Sequence, residues 1–141
     1  LSSNTPIRIR NKKSKRPWQH VLEPINGYVM LAEKLTLYNT LLYQDAFNFG
    51  PGIENNLTVL ELIRSVLENW DGSWIEDEDS SKLHESDLLH LQIDKSFTIL
   101  QWKPMWNFGT TISKTISWYK DVHHGFDPYE RCMKDINSYL N

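Results

Sequence analysis

Apolar residues along this chain recur mostly at three- and four-residue steps, which predicts a largely helical protein. Leu22, Ile25, Val29, Ala32 and Leu35 fall on one face of a helix over 22–37. Pro24 sits in its first turn, where a missing N–H costs nothing. Gly27 inside it weakens the helix by about 1 kcal/mol and marks a close packing contact. A second helix is predicted from Val59 to Trp70. Thr58 and Glu61 have capping-box spacing, and Val59, Leu62, Ile63, Val66, Leu67 and Trp70 form its apolar stripe. Asp94 is placed to cap a short helix, Lys95 to Leu100. Asn107 is placed to cap a long one running to about His123, with Phe108, Ile112, Ile116 and Tyr119 facing inward and Gly125 ending it. Asp127-Pro128 opens a last helix, expected to bury Tyr129, Cys132 or Met133, Ile136 and Leu140.

Alternation of period two is confined to short stretches. Pro6–Arg10 and Leu89–Ile93 alternate and read as strands, as do Trp18–Val21, Ala46–Phe49 (stopped by Gly50-Pro51-Gly52) and Ser73–Ile75. Trp102–Trp106 is extended around Pro104. Asn11–Lys15 and the acidic run 76–82 read as loops. The fold class expected is α+β: about four helices, several very short strands and no repeat.

Composition narrows the picture. With 141 residues, 40% hydrophobic and 12% aromatic, the chain can bury the core of one domain, residues 1–141. No run reaches the ~18 apolar residues of a membrane helix. The single cysteine excludes an internal disulfide and fits a cytoplasmic protein. Asn56-Leu57-Thr58 matches a glycosylation sequon, read as chance without a secretory signal. The first residue is Leu, which predicts missing sequence upstream.

Charge is unevenly spread. The net value is -3, yet Arg8, Arg10, Lys12, Lys13, Lys15 and Arg16 lie in the first twenty residues with no acid among them. Such a cluster on an acidic chain suits either an anion site or a plain solvated loop. Catalytic motifs are missing. There is no Gly-x-Gly-x-x-Gly turn, no Tyr-x-x-x-Lys, no nucleophile elbow and no metal-spaced Cys/His set. His123-His124 reads as a solvated pair. The chain by itself is therefore expected to be inactive.

One stretch is distinctive: Arg16-Pro17-Trp18-Gln19-His20-Val21-Leu22-Glu23-Pro24, then Gly27-Tyr28 and Leu31-Ala32-Glu33-Lys34-Leu35. It resembles the segment that marks CDP-glucose 4,6-dehydratases within the extended short-chain dehydrogenase family. Ile9-Arg10-Asn11, Phe47-Asn48-Phe49-Gly50-Pro51, His84-Glu85, Leu89, Leu91, Lys95, Trp102-Lys103-Pro104, Trp106 and Trp118-Tyr119 resemble other parts of the same pattern, in order. Lys12 stands where that family has Pro, Gln92 where it has Asp, and Ser86, Asp87 and Ser96 also depart from it.

The resemblance implies the C-terminal, substrate-binding portion of such an enzyme, without its Rossmann half. In the intact enzyme NAD takes a hydride from the fourth carbon of the glucose, water is lost, and the hydride returns to carbon six. None of that cofactor is expected on this portion. The implied partner is CDP-glucose or a related nucleotide sugar, with neither nucleic acid nor membrane. A dehydratase or epimerase for another nucleotide sugar, and a non-catalytic module with a basic arm, remain open alternatives.

By the same resemblance Arg16 holds the substrate diphosphate, a role its planar fork suits. Glu85 meets the nucleotide ribose with His84 beside it, or is merely a loop acid. Lys82 is a second candidate phosphate cation, and Arg10 and Asn11 end a strand near the nucleotide. His20 is expected to be a buried, hydrogen-bonded histidine, and Trp18, Trp102, Trp106 and Trp118 packing residues. The Phe47 strand belongs to the missing sheet in that family. Bare, it is expected to favour a homodimer.

Overall fold

Glycine at position 27 decides how the first long helix lies. In the computed structural model, which describes residues 5–77 and 89–141, α1 runs Leu22–Leu37 and presses its backbone against the ring of Phe49. A Cβ at Gly27 would fall inside that ring. Phe49, Leu100 and Trp102 form a buried cluster, joined by Met30, Leu31, Tyr43, Phe47 and Ile93. Phe49 meets Trp102 edge-on at 5.1 Å and Tyr28 at 5.4 Å.

The inward face of α1 therefore carries Glu23, Gly27, Met30 and Leu31. This corrects the predicted stripe. Ile25, Val29 and Leu35 are 45%, 62% and 44% exposed, and Val21 and Tyr28 are exposed with them. Periodicity marked an apolar face correctly, but the closest packing follows the residue that has no side chain.

Four three-residue strands make two small sheets. β1 (Ile7–Ile9) pairs in parallel with β4 (Trp74–Glu76), and β2 (Lys15–Pro17) pairs antiparallel with β3 (Asn56–Thr58). Neither member of the second pair was predicted. Residues 18–20 are irregular, and Val21 is already helical at the N-cap of α1. Residues 46–49 and 89–93 are not strands either. Side chains hold the first of these segments. The carbonyls of Ala46, Asn48 and Phe49 accept from Lys95 Nζ (3.0 Å), Ser96 Oγ (2.5 Å) and Gln19 Nε2 (2.9 Å). Asn48 Nδ2 donates in turn to the Gln92 carbonyl at 3.2 Å. Three of the carbonyls that a neighbouring strand would have met are thus taken by side chains of the same chain.

α2 (Val59–Asn69) begins with the predicted capping box. The Thr58 hydroxyl and amide hold the Glu61 carboxyl below the usual carboxylate range. Two more of its leading amides are satisfied from the basic loop: Val59 N–H donates to the Ser14 carbonyl and Leu60 N–H to that of Lys12, at 3.0 and 3.1 Å. α3 (Asp94–Leu100) ends on Gln101 in the left-handed region. α4 (Phe108–His123) is capped by Asn107 and followed by Gly125 at φ +90°, as expected. It buries Ile112 and Ile116 but leaves Tyr119 57% exposed.

α5 (Pro128–Leu140), capped by Asp127, packs along α4. Its buried face is Arg131, Asp135 and Tyr139, whereas Tyr129 and Leu140 are 66% and 72% exposed. Met133 and Ile136 are half-buried, so the expected face is kept in part, but the deepest positions belong to a more polar face than expected. Fixed acceptors and charges on α1 and α4 reward that side.

Gly27→Ala should destabilise the chain by about 1–3 kcal/mol through overpacking on Phe49, although the same change at a free helical site stabilises it. Urea unfolding followed by circular dichroism measures the difference.

Candidate functional site

The segment that carries the basic cluster is a strand, a turn and a second strand. Arg10 lies just past the end of β1 and is exposed; Arg16 is the middle residue of β2 and half-buried, its backbone opposite Leu57. Asn11 makes the turn between them. Its Oδ1 accepts from the amides of Lys13 and Ser14, both at 3.1 Å. That oxygen is therefore committed to the backbone, and the side-chain amide nitrogen is what Asn11 could offer a ligand. Arg16 Nη1 donates to the Lys15 carbonyl at 2.8 Å. Lys12 forms an ion pair with Glu76 at 2.8 Å, joining the turn to the end of β4. Exposed as both partners are, the pair stabilises by about 0–1 kcal/mol.

This turn lies over the N-terminus of α2. The helix end adds a positive field to that of the lysines. Because Ser14, Lys12 and Thr58 already occupy its leading amides, it supplies field without donors, and any anion bound here must be held by side chains. Lys82, His84 and Glu85 lie outside the described residues.

A neighbouring polar cluster, not anticipated above, centres on Glu23. Glu23 is 0% exposed. Its carboxylate accepts from the amide of Met105 at 3.0 Å, that of Trp106 at 2.7 Å and the Tyr139 hydroxyl at 2.6 Å. One acid in the first turn of α1 so fixes the Pro104 segment and the end of α5. Trp106 lies edge-on between His20 (4.8 Å) and Tyr139 (5.0 Å). An acid between Leu22 and Pro24, just inside a helix, was the available signal. It reads as an ordinary first-turn carboxylate until the partners from residues 105 and 139 are in place.

His20 is buried as expected, and its Nδ1 accepts from the Leu22 amide at 3.3 Å. Burial pushes its pKa below the ordinary value of 6.5, against the raising effect of Asp135 and Glu23. Tyr139 is pushed upward by burial and by its bond to Glu23. Both groups therefore stay neutral near pH 7. Beside His20, among α1, α4 and α5, opens a cavity of about 580 Å³. None of Arg10, Asn11 and Arg16 lines it. Trp102 is a core residue at 1% exposure, and Trp18 donates its indole N–H to the Leu57 carbonyl at 2.9 Å. Among the described residues no cluster of His, Cys, Asp and Glu could hold a metal ion, and no helix is long and apolar enough to cross a membrane.

No family model matches the sequence. A curated protein does. Over 143 aligned residues the chain is 33% identical to a CDP-glucose 4,6-dehydratase of Salmonella typhimurium. The chain is similar to that dehydratase along its whole length. It spans 39% of the relative's length, about two fifths.

Glu23→Ala would leave three donors without their acceptor and should cost about 3 kcal/mol or more, while Tyr139→Phe should cost about 1–2 kcal/mol, read as shifts in the urea midpoint. The stability that His20 contributes is complete above pH 6.5 and drains as the pH falls through its lowered folded value. The wild-type urea midpoint should therefore drop between pH 7 and pH 5 by more than that of His20→Phe.

Proposed function

We propose that the chain is the substrate-binding portion of a CDP-glucose 4,6-dehydratase, and that the basic turn between β1 and β2 holds the diphosphate of the nucleotide sugar. The observation that carries this reading is the 33% identity to such an enzyme along the whole chain. The structure supports it in three respects. Six cations are concentrated around one turn at the positive end of α2. The segment with the strongest resemblance, Arg16 to Pro24, runs through β2 into α1 and ends on the carboxylate that ties three parts of the chain together. Exposed apolar residues on α1 form a stripe suited to burial against further protein.

In this reading Arg16 is the principal phosphate ligand. Its guanidinium must leave the Lys15 carbonyl, a neutral acceptor, to form charge-assisted bonds with phosphate oxygens, which are roughly twice as strong. Arg10 and Lys82 add positive charge, Asn11 offers its side-chain amide, and Glu85 with His84 meets the ribose. The redox chemistry belongs to NAD held elsewhere in the intact enzyme. The residues present here do not fit that cofactor. Gly50 and Gly52 flank a proline, and the space a Cβ would need at each is filled by Leu91 and by the Glu54 carboxylate rather than left open for a phosphate. No hydride step is assigned to this chain.

The basic arm as a nucleic-acid or acidic-partner surface is the weaker reading, because the 33% identity along the whole chain is to a nucleotide-sugar enzyme and Lys12 is already paired with Glu76.

Calorimetric titration of the protein carrying this chain should show saturable binding of CDP in preference to UDP and dTDP. Arg16→Ala should weaken CDP binding by about 2–3 kcal/mol, the worth of charged hydrogen bonds. Unchanged affinity in that variant, or binding of any polyanion with a steep loss in salt, would refute the assignment.

A further inference from the structure

β2, the strand that carries Arg16, is three residues long and has a single neighbouring strand among the described residues. A two-stranded pair of that size is marginal on its own. Backbone bonds flank it: Val59 N–H donates to the Ser14 carbonyl at 3.0 Å, and Trp18 N–H to the Asn55 carbonyl at 3.3 Å. Hydrogen-bonded pairs alternate along an antiparallel ladder. Arg16 and Leu57, registered opposite each other, are therefore the hydrogen-bonded pair between those two bonds. The carbonyl of Leu57 points at the backbone of Arg16.

That same carbonyl accepts the indole N–H of Trp18 at 2.9 Å. Side chains two apart on a strand share a face, so the Trp18 and Arg16 side chains leave the chain on the same side. Beyond Trp18 the chain is irregular until α1 begins. The backbone bond at this end is the long one, at 3.3 Å, so the indole bond is the firmer tie. β3 is anchored in turn. Asn55 is 3% exposed, and its Oδ1 accepts the amide of Phe108, the first residue of α4, at 3.1 Å. A line of hydrogen bonds thus runs from the start of α4 through Asn55 and β3 to the indole of Trp18. From there it reaches the strand bearing Arg16. Because Arg16 Nη1 donates to the Lys15 carbonyl, its guanidinium follows that strand.

From this arrangement we infer that Trp18 is a positioning residue for the anion site. Its indole N–H fixes the β2–β3 pair and, through it, the place of the Arg16 guanidinium. This rests on the reading of Arg16 as the diphosphate ligand; Trp18 acts through Arg16 and not on the ligand itself. Without the indole bond the strand pair samples arrangements in which Arg16 is misplaced. Affinity then falls in proportion to the fraction of molecules that remain competent. The packing of the ring is a separate contribution, which a phenylalanine keeps in large part.

Calorimetry on the intact protein that carries this chain provides the test, with CDP as the probe. Trp18→Phe keeps a ring and removes the donor. It should weaken CDP binding about three- to tenfold, the effect of one neutral hydrogen bond lost. Turnover of CDP-glucose should show KM raised by the same factor and kcat within about twofold of wild type. In the Arg16→Ala background the same substitution should change CDP affinity by less than about twofold, because the residue through which it acts is gone. Wild-type protein supplies a measurement that needs no variant. CDP should slow amide hydrogen exchange at 56–58 as well as at 15–18, since the two strands tighten together. A Trp18→Phe protein that is folded by circular dichroism and binds CDP like wild type overturns the inference and leaves the diphosphate reading standing. So does a fall in kcat with KM unchanged, an equal loss of affinity in the Arg16→Ala background, or exchange at 56–58 that CDP does not slow. An Arg16→Ala protein with unchanged CDP affinity overturns both.

Discussion

A carboxylate with no exposure to solvent governs the arrangement of this chain. Glu23 lies in the first turn of α1, and its oxygens accept from two backbone amides around residue 105 and from the hydroxyl of Tyr139. A buried charge without such partners would be prohibitive. With them the start of α1 is tied to two segments more than eighty residues further along the chain. The exit from the Pro104 turn, the start of α1 and the last turn of α5 cannot move independently. Trp106, held between His20 and Tyr139, fills the space that this convergence leaves.

The orientation of two helices follows from that constraint. α1 turns Glu23 and Gly27 inward, because the carboxylate must reach its donors and the glycine must admit Phe49. Its apolar stripe is consequently presented outward. α5 turns Tyr139 toward Glu23, which brings Asp135 and Arg131 inward one and two turns earlier. The charged pair is then completed by Asp121 and Lys114 of α4. The cavity beside His20, among α1, α4 and α5, is a by-product of the same geometry.

The basic turn is a separate, more local structure. Asn11 shapes it, and its carbonyls cap α2. The elements that concentrate positive charge here also close the helix amides to ligands. Recognition at this place rests on side chains whose geometry a bound anion can still rearrange.

Local chemistry was legible in the sequence. The capping box at Thr58 and Glu61, the Asn107 and Asp127 caps, the glycine after α4 and the extents of α1, α2, α4 and α5 all depend on neighbours within four residues. The close contact at Gly27 and the burial of His20 were legible for the same reason. Which face of α1 and α5 is buried was not, because the deciding partners of Glu23 and Tyr139 come from distant segments. The β2–β3 pair was missed because three residues carry too little pattern to announce a strand, and 46–49 was taken for one because its alternation is real while its partners are side chains. Periodicity reports which residues prefer shelter. Only the assembled chain decides which of them obtain it, because a buried charge must be satisfied before an exposed methyl group need be covered.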